Sequence, residues 1–182
     1  ALALPVGAMP ALRGDVAIVR DGRPAAVVVT PDAPTTGVRY AAQELVYHVE
    51  KATGAKLAIV PEGEATADRG ARIYLGDTRA ARAAGLDAGK LAAETFTLRT
   101  QGDALLIVGR DAAGDPLDRD TSAGTLFGVY EWLERDLGAR WLWPGSLGTY
   151  VPKARDVSAR AVAATVAPRF FQRHLRAGTS FK

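Results

Sequence analysis

The loop from residue 110 to residue 120 has the residue types that bind hard cations. It carries four aspartates within ten residues: Asp111, Asp115, Asp118 and Asp120. Calcium loops of the EF-hand type need alternating acidic ligands, a central glycine and a terminal glutamate, and here Pro116 and Arg119 interrupt that pattern. We therefore interpret the loop as solvated, with its last aspartate capping a helix near Thr121. The four aspartates stay only as weak metal candidates.

Glu131 and Glu134 stand three residues apart, so on a helix they share one face and could form an acid–base pair. Glycosidase carboxylates usually converge from different elements across a cleft. Neighbouring Arg135 and Arg140 offer ion-pair partners on a solvated face. We favour the solvated face, and the sequence predicts no catalytic residue.

The two histidines of the chain, His48 and His174, are far apart and have no companion at metal-ligand spacing. His48 is expected on the polar side of a helix, and His174 lies in a basic tail. The serines lack the Gly-x-Ser-x-Gly turn of a nucleophile, and no glycine-rich phosphate loop follows a strand. The sequence therefore predicts no histidine metal centre, no serine hydrolase and no cofactor.

All three tryptophans lie between residues 124 and 152. Trp141 and Trp143 alternate about Leu142 in a predicted strand, so both indoles should share one face. They could stack on sugar rings or contact another domain. The second role is favoured because prolines and a glycine make a rigid connection leading out of the domain. The candidate residues for either role are Trp141, Trp143, Tyr150 and Arg140.

The elements that must position these residues follow from hydrophobic periodicity and turn signals. In chain order they are a hairpin (16–20 with 25–30), a helix (36–53), strands (56–60 and 71–76), a short helix (78–84), a hairpin (94–100 with 104–109), a helix (121–137) and a strand (157–166). Gly124 and Gly128 weaken the second long helix but let its backbone approach a sheet or another domain closely. This order predicts an α+β domain, with a mixed, largely antiparallel sheet and two long helices packed on it.

Composition limits the function classes. The chain has 182 residues, 48% of them hydrophobic, and a formal net charge of +3 from interspersed charges, which predicts one main domain and no nucleic-acid partner. No apolar run is long enough to span a membrane. Residues 1–14 resemble the end of an export signal, which predicts a secreted or periplasmic protein, although a disordered leader would look the same. The predicted domain spans residues 15–166.

The segments "GTLFGVYEWLERDLGARWLWPGSLGTYVP", "AAQELVYHVEKATGAKLAIV" and "ARIYLGDT" resemble the N-terminal, non-catalytic domain of a bacterial glycoside-hydrolase-like family. This is a domain of unknown function that precedes a barrel, and it is similar to the second domain of β-N-acetylhexosaminidases and the N-terminal domain of family 67 α-glucuronidases. The most specific motifs are residues 128–134, 137–141 and 144–152.

The resemblance implies a mixed sheet with packed helices and, as partner, a catalytic (β/α)8 barrel of the same polypeptide. Residues 167–182 are expected to be a linker or the beginning of that barrel. A barrel needs roughly 200 further residues, so no catalytic residue is transferred to this chain. The first hypothesis is therefore an accessory domain in carbohydrate degradation. The alternative is a stand-alone carbohydrate-binding module, and a complete small hydrolase is disfavoured.

Overall fold

A computed structural model describes residues 15–66 and 70–169. The predicted leader 1–14 and the tail from residue 170, including His174, lie outside the described residues. The strands are β1 (Val16–Arg20), β2 (Arg23–Pro24), β3 (Ala26–Thr30), β4 (Ile59–Pro61), β5 (Ala71–Leu75), β6 (Phe96–Gln101), β7 (Ala104–Gly109), β8 (Arg140–Trp141), β9 (Thr149–Tyr150), β10 (Val157–Ala159) and β11 (Ala163–Val166). The helices are α1 (Thr36–Thr53), α2 (Arg79–Ala83) and α3 (Gly124–Trp132), which continues as a π-helical turn (Leu133–Leu137).

Six strands form the main sheet in the order β11-β6-β7-β5-β3-β4. The pairings of β3 with β4, β3 with β5 and β5 with β7 are parallel, whereas β6 pairs antiparallel with both β7 and β11. Among the described strands, five pairings are antiparallel and three are parallel. The predicted α+β class with a mixed sheet is confirmed.

The two faces of the main sheet bury separate cores. Leu105 and Ile107 of β7 belong to the large core together with α1, α3 and β1. Leu106 and Val108, which alternate with them, pack with Ala81 of α2 on the other face. A strand that is covered on both faces has apolar residues at successive positions. This is why apolar and polar residues do not alternate in β3 and β7.

The first predicted hairpin is only partly correct. Asp21 and Gly22 make a turn with positive φ angles, but the strand that pairs back on β1 is only β2. Ala25 then joins two sheets: its N–H donates to Ile18 O of β1, and its carbonyl accepts from Ala71 N of the main sheet. The next five residues are buried on both faces, so they belong inside the larger sheet.

Both long helices form, with one shifted start. α1 has the predicted bounds, with Thr35 as N-cap and Gly54 in the left-handed conformation after it. The second helix was predicted from Thr121 but begins at Gly124, because Ser122 and Ala123 are held in bridging contacts with the segment after β7. The predicted last strand is two strands, β10 and β11, which join different sheets.

Candidate functional site

A groove of about 560 Å³ opens beside α3, where β6, β8 and the end of β11 meet. Its walls combine three kinds of side chain. The aromatic residues are Phe96, Phe127, Tyr130 and Trp141. The acidic residues are Glu94, Glu131 and Glu134. The third kind is aliphatic and comes from the segment that begins at the end of β11: Val166, Ala167 and Pro168.

Trp141 is a half-buried wall of this groove. Its ring packs edge-on against Tyr130 of α3, at 5.0 Å between centroids, and against His48 of α1, at 5.3 Å. Aromatic pairs of this geometry add about 0.5–1.5 kcal/mol beyond the area that they bury. Trp141 therefore has a fixed position, held by both long helices.

The predicted position of His48 on the polar side of the helix is wrong, because the residue is only 2% exposed. Its Nδ1 lies 2.8 Å from the carbonyl oxygen of Glu44, and within the described chain Nε2 has no hydrogen-bond partner. His48 stands three residues after Leu45 and four before Ala52, so helix geometry places it at the edge of the buried face of α1. The ring of Trp141, which comes from a distant segment, packs against His48 at this edge.

Tyr130 connects the groove to α1. Its hydroxyl donates to Glu44 Oε2 at 3.1 Å. Burial, reinforced by the negative charge of Glu44, holds the pKa of the Tyr130 phenol well above its usual range. The phenol therefore stays a neutral donor at physiological pH and fixes α3 against α1.

Glu131 and Glu134 line the groove from successive turns of the second long helix. The two arginines that the sequence suggested as partners are used elsewhere. Arg135 pairs with Asp136, and Arg140 donates to the backbone carbonyls of Glu134 and Ala139. Among the described residues, no ion pair involves the carboxylate of Glu131 or that of Glu134.

Glu94 is the groove residue that sequence reasoning missed. It has a positive φ of 59° in the turn before β6, and its N–H donates to Ser122 Oγ at 2.8 Å. No sequence motif identifies it. Glu94 is far from Glu131 along the chain, and only the packing of α3 on β6 brings the two residues into one groove. The groove thus presents carboxylate acceptors between aromatic walls, which suits a ligand that donates hydrogen bonds and has apolar faces.

The second feature is an exposed apolar loop, residues 142–150, which follows β8 and ends with β9. Leu142 is 73% exposed, Trp143 68%, Leu147 96% and Tyr150 57%. The backbone is fixed: Leu142 N donates to Gly148 O, and a Cβ on Gly148 would lie 2.0 Å from the carbonyl oxygen of Trp143. The loop therefore displays its large side chains from a tightly closed turn.

The strand expected to align the two indoles ends at Trp141. Trp141 lies in the groove wall, whereas Trp143 belongs to the exposed loop. Of the four predicted candidates, Trp143 and Tyr150 are the exposed aromatics. Arg140 is exposed at the base of the loop, where it donates to backbone carbonyls at the end of the helix.

The four aspartates of the 110–120 loop make hydrogen bonds or ion pairs within the protein. Asp111 caps α3, accepting from Thr125 N at 2.9 Å and from Thr125 Oγ1 at 2.5 Å. The prediction that the last aspartate of the loop caps this helix is therefore wrong. The reason is that the helix begins at Gly124. The other three side chains make local turns or a surface ion pair: Asp115, Asp118 and Asp120.

Within residues 15–66 and 70–169, no group of three or more metal-binding side chains converges. None of the helices in this part of the chain has the length and apolar character needed to cross a bilayer.

Comparison with known proteins gives a likeness of fold. No protein-family profile matches the sequence, and no curated protein matches it. A solved structure described as a family GH115 4-O-methyl-α-glucuronidase, with specificity for decorated arabinogalactans, aligns with 85% of this chain at a TM-score of 0.51 and 20% identity. The chain covers 18% of that enzyme. It therefore shares the fold of one portion of a glycoside hydrolase.

Proposed function

We propose that this chain is a non-catalytic accessory domain of a secreted bacterial glycoside hydrolase, acting in the degradation of carbohydrate. In this proposal it docks against a catalytic barrel of the same polypeptide through the apolar loop. The fold likeness supports the accessory role, because the matching part is a minor portion of a much longer enzyme.

The apolar loop carries the proposal. Four large apolar or aromatic side chains within nine residues are more than half exposed, and monomeric proteins rarely expose large contiguous apolar patches without a binding role. Because the turn is closed by β8–β9 pairing, these side chains lose little backbone freedom on docking. A rigid apolar turn of this kind suits a permanent contact between domains.

The parent reading frame is the first test. A continuation of several hundred residues that encodes a barrel is expected, and a frame that stops directly after Lys182 would overturn the proposal. In the full-length polypeptide, replacing Trp143 and Leu147 with serine should uncouple the domains. Calorimetry should then resolve two unfolding transitions where the parent shows one coupled transition.

Leu117 provides the matched control, because it is 67% exposed in a different loop. Leu117→Ser should leave the coupled transition unchanged. If the loop variants behave like this control, the apolar loop does not form the domain contact.

A carbohydrate-binding module is the second candidate, favoured by the exposed rings of Trp143 and Tyr150. Titration with a panel of neutral and acidic oligosaccharides should change tryptophan fluorescence, and Trp143→Ala should abolish the change. Trp141→Ala reports separately on the groove. A flat response of the parent protein across the panel would exclude this function.

A further inference from the structure

The groove beside α3 concentrates negative charge on a basic protein. The chain has a net charge of +3, yet the groove wall has three carboxylates and no arginine, lysine or histidine among its described residues. Phe127 and Val166, each 37% exposed, add apolar surface between these acids. The complementary occupant is a chain segment that combines guanidinium groups with aromatic side chains.

The sequence directly after the groove has this composition. Ala167 and Pro168 are part of the groove wall, and the chain continues as "RFFQRHLR", residues 169–176. This stretch has three arginines (Arg169, Arg173 and Arg176) and two phenylalanines, and no acidic residue follows through Lys182. We propose that residues 170–176, the cationic segment, bind in the groove of their own chain. This inference needs no second domain, and it requires residues 170–176 to be the linker and not the first strand of the expected barrel.

The cationic segment is covalently connected to the groove wall at Pro168, and this connection favours binding within one chain. Eight residues beyond Pro168 can span up to roughly 28 Å, so the arginines can reach Glu131 and Glu134. Short flexible connections give effective concentrations in the millimolar range, so weak individual contacts are sufficient. A second copy of the chain or a free oligosaccharide has no such tether.

Hydrogen–deuterium exchange of the 182-residue chain, read by mass spectrometry, tests the proposal. The amides of residues 170–176 should exchange more slowly than in a peptide of the same sequence. About 1 M salt should reduce this protection, because it shortens the screening length to about 3 Å. The double variant Glu131→Gln/Glu134→Gln should reduce the protection about fivefold, as expected for the loss of partly exposed ion pairs.

The reciprocal variant is Arg173→Gln/Arg176→Gln, which should lower protection of the remaining amides to a similar degree. Combining both pairs of substitutions should add little further loss, because the same contacts are removed twice. The matched control is Glu50→Gln, an exposed glutamate of α1 outside the groove wall, which should leave the segment protected. Unchanged exchange in α1 shows that each variant is folded.

Three results would overturn the proposal. The first is a segment in the parent that exchanges at the rate of the free peptide. The second is protection that Glu131→Gln/Glu134→Gln and the control leave equally intact. The third is protection that falls on dilution together with a dimer-to-monomer change in sedimentation, which would assign the groove to a second copy of the chain.

Discussion

The packing of α3 on the sheet rests on glycine at position 128. A Cβ added there would lie 2.6 Å from Ile107 Cγ2 and 3.2 Å from Phe96 Cδ2. Ile107 is fully buried, so its side chain has no solvent to move into. Gly128→Ala therefore forces α3 away from β6 and β7, and α3 carries one wall of the groove.

The magnitude follows from two opposing terms. Alanine improves helix propensity by about 1 kcal/mol relative to glycine. Extra volume in a well-packed core costs about 1–3 kcal/mol. Because the contact with Ile107 is far inside van der Waals distance, overpacking dominates. We expect Gly128→Ala to lower the free energy of unfolding by up to about 2 kcal/mol, measured by urea denaturation followed by circular dichroism.

Gly37 of α1 is the matched control, because an added Cβ would meet its neighbours at ordinary contact distances of 3.7 Å or more. Gly37→Ala should leave stability unchanged or raise it by up to about 1 kcal/mol. If both alanine variants are equally stable, the close approach of α3 to the sheet does not limit the fold, and the reasoning fails.

Three further predictions concern single side chains. Burial raises the pKa of Asp111 above its usual value. The resulting contribution to stability is therefore present at low pH and is lost as pH rises through the folded-state pKa. Asp111→Asn should remove this part of the pH dependence of urea unfolding. Trp141→Ala should cost about 2 kcal/mol, whereas Trp143→Ala should change stability by less than about 0.5 kcal/mol, as thermal unfolding will show. The carboxylate of Asp136 is fully buried between Arg135 and Arg160. Asp136→Ala should lower the free energy of unfolding by about 1–3 kcal/mol in the same assay. An unaltered unfolding midpoint would show that these ion pairs do not stabilise the fold.

Local signals in the sequence predicted most elements. Thr35 and Gly54 bracket α1 as the capping rules expect, and Gly102 turns the β6–β7 hairpin with a positive φ. These features depend on neighbours within a few residues, so periodicity and turn chemistry identify them. The start of α3 was misplaced because its cap, Asp111, lies 13 residues before Gly124 in the sequence.

The candidate site was less accessible to sequence reasoning. Glu131 and Glu134 were interpreted as a solvated face, since a helix pattern cannot show which neighbour stands opposite. The third carboxylate, Glu94, comes from a turn that no motif identifies. Trp141 and Trp143 were paired by strand alternation, and the strand ends between them.

By itself, the sequence determined the α+β class, both long helices and the main hairpin, because each depends on local spacing of apolar residues and on capping or turn residues. Only the tertiary structure decided which surfaces remain available. It buried His48 beneath Trp141, separated Trp141 from Trp143, and brought Glu94 to the acidic helix face. These outcomes depend on contacts between segments distant in the chain, where the packing of whole elements overrides the pattern of any one of them.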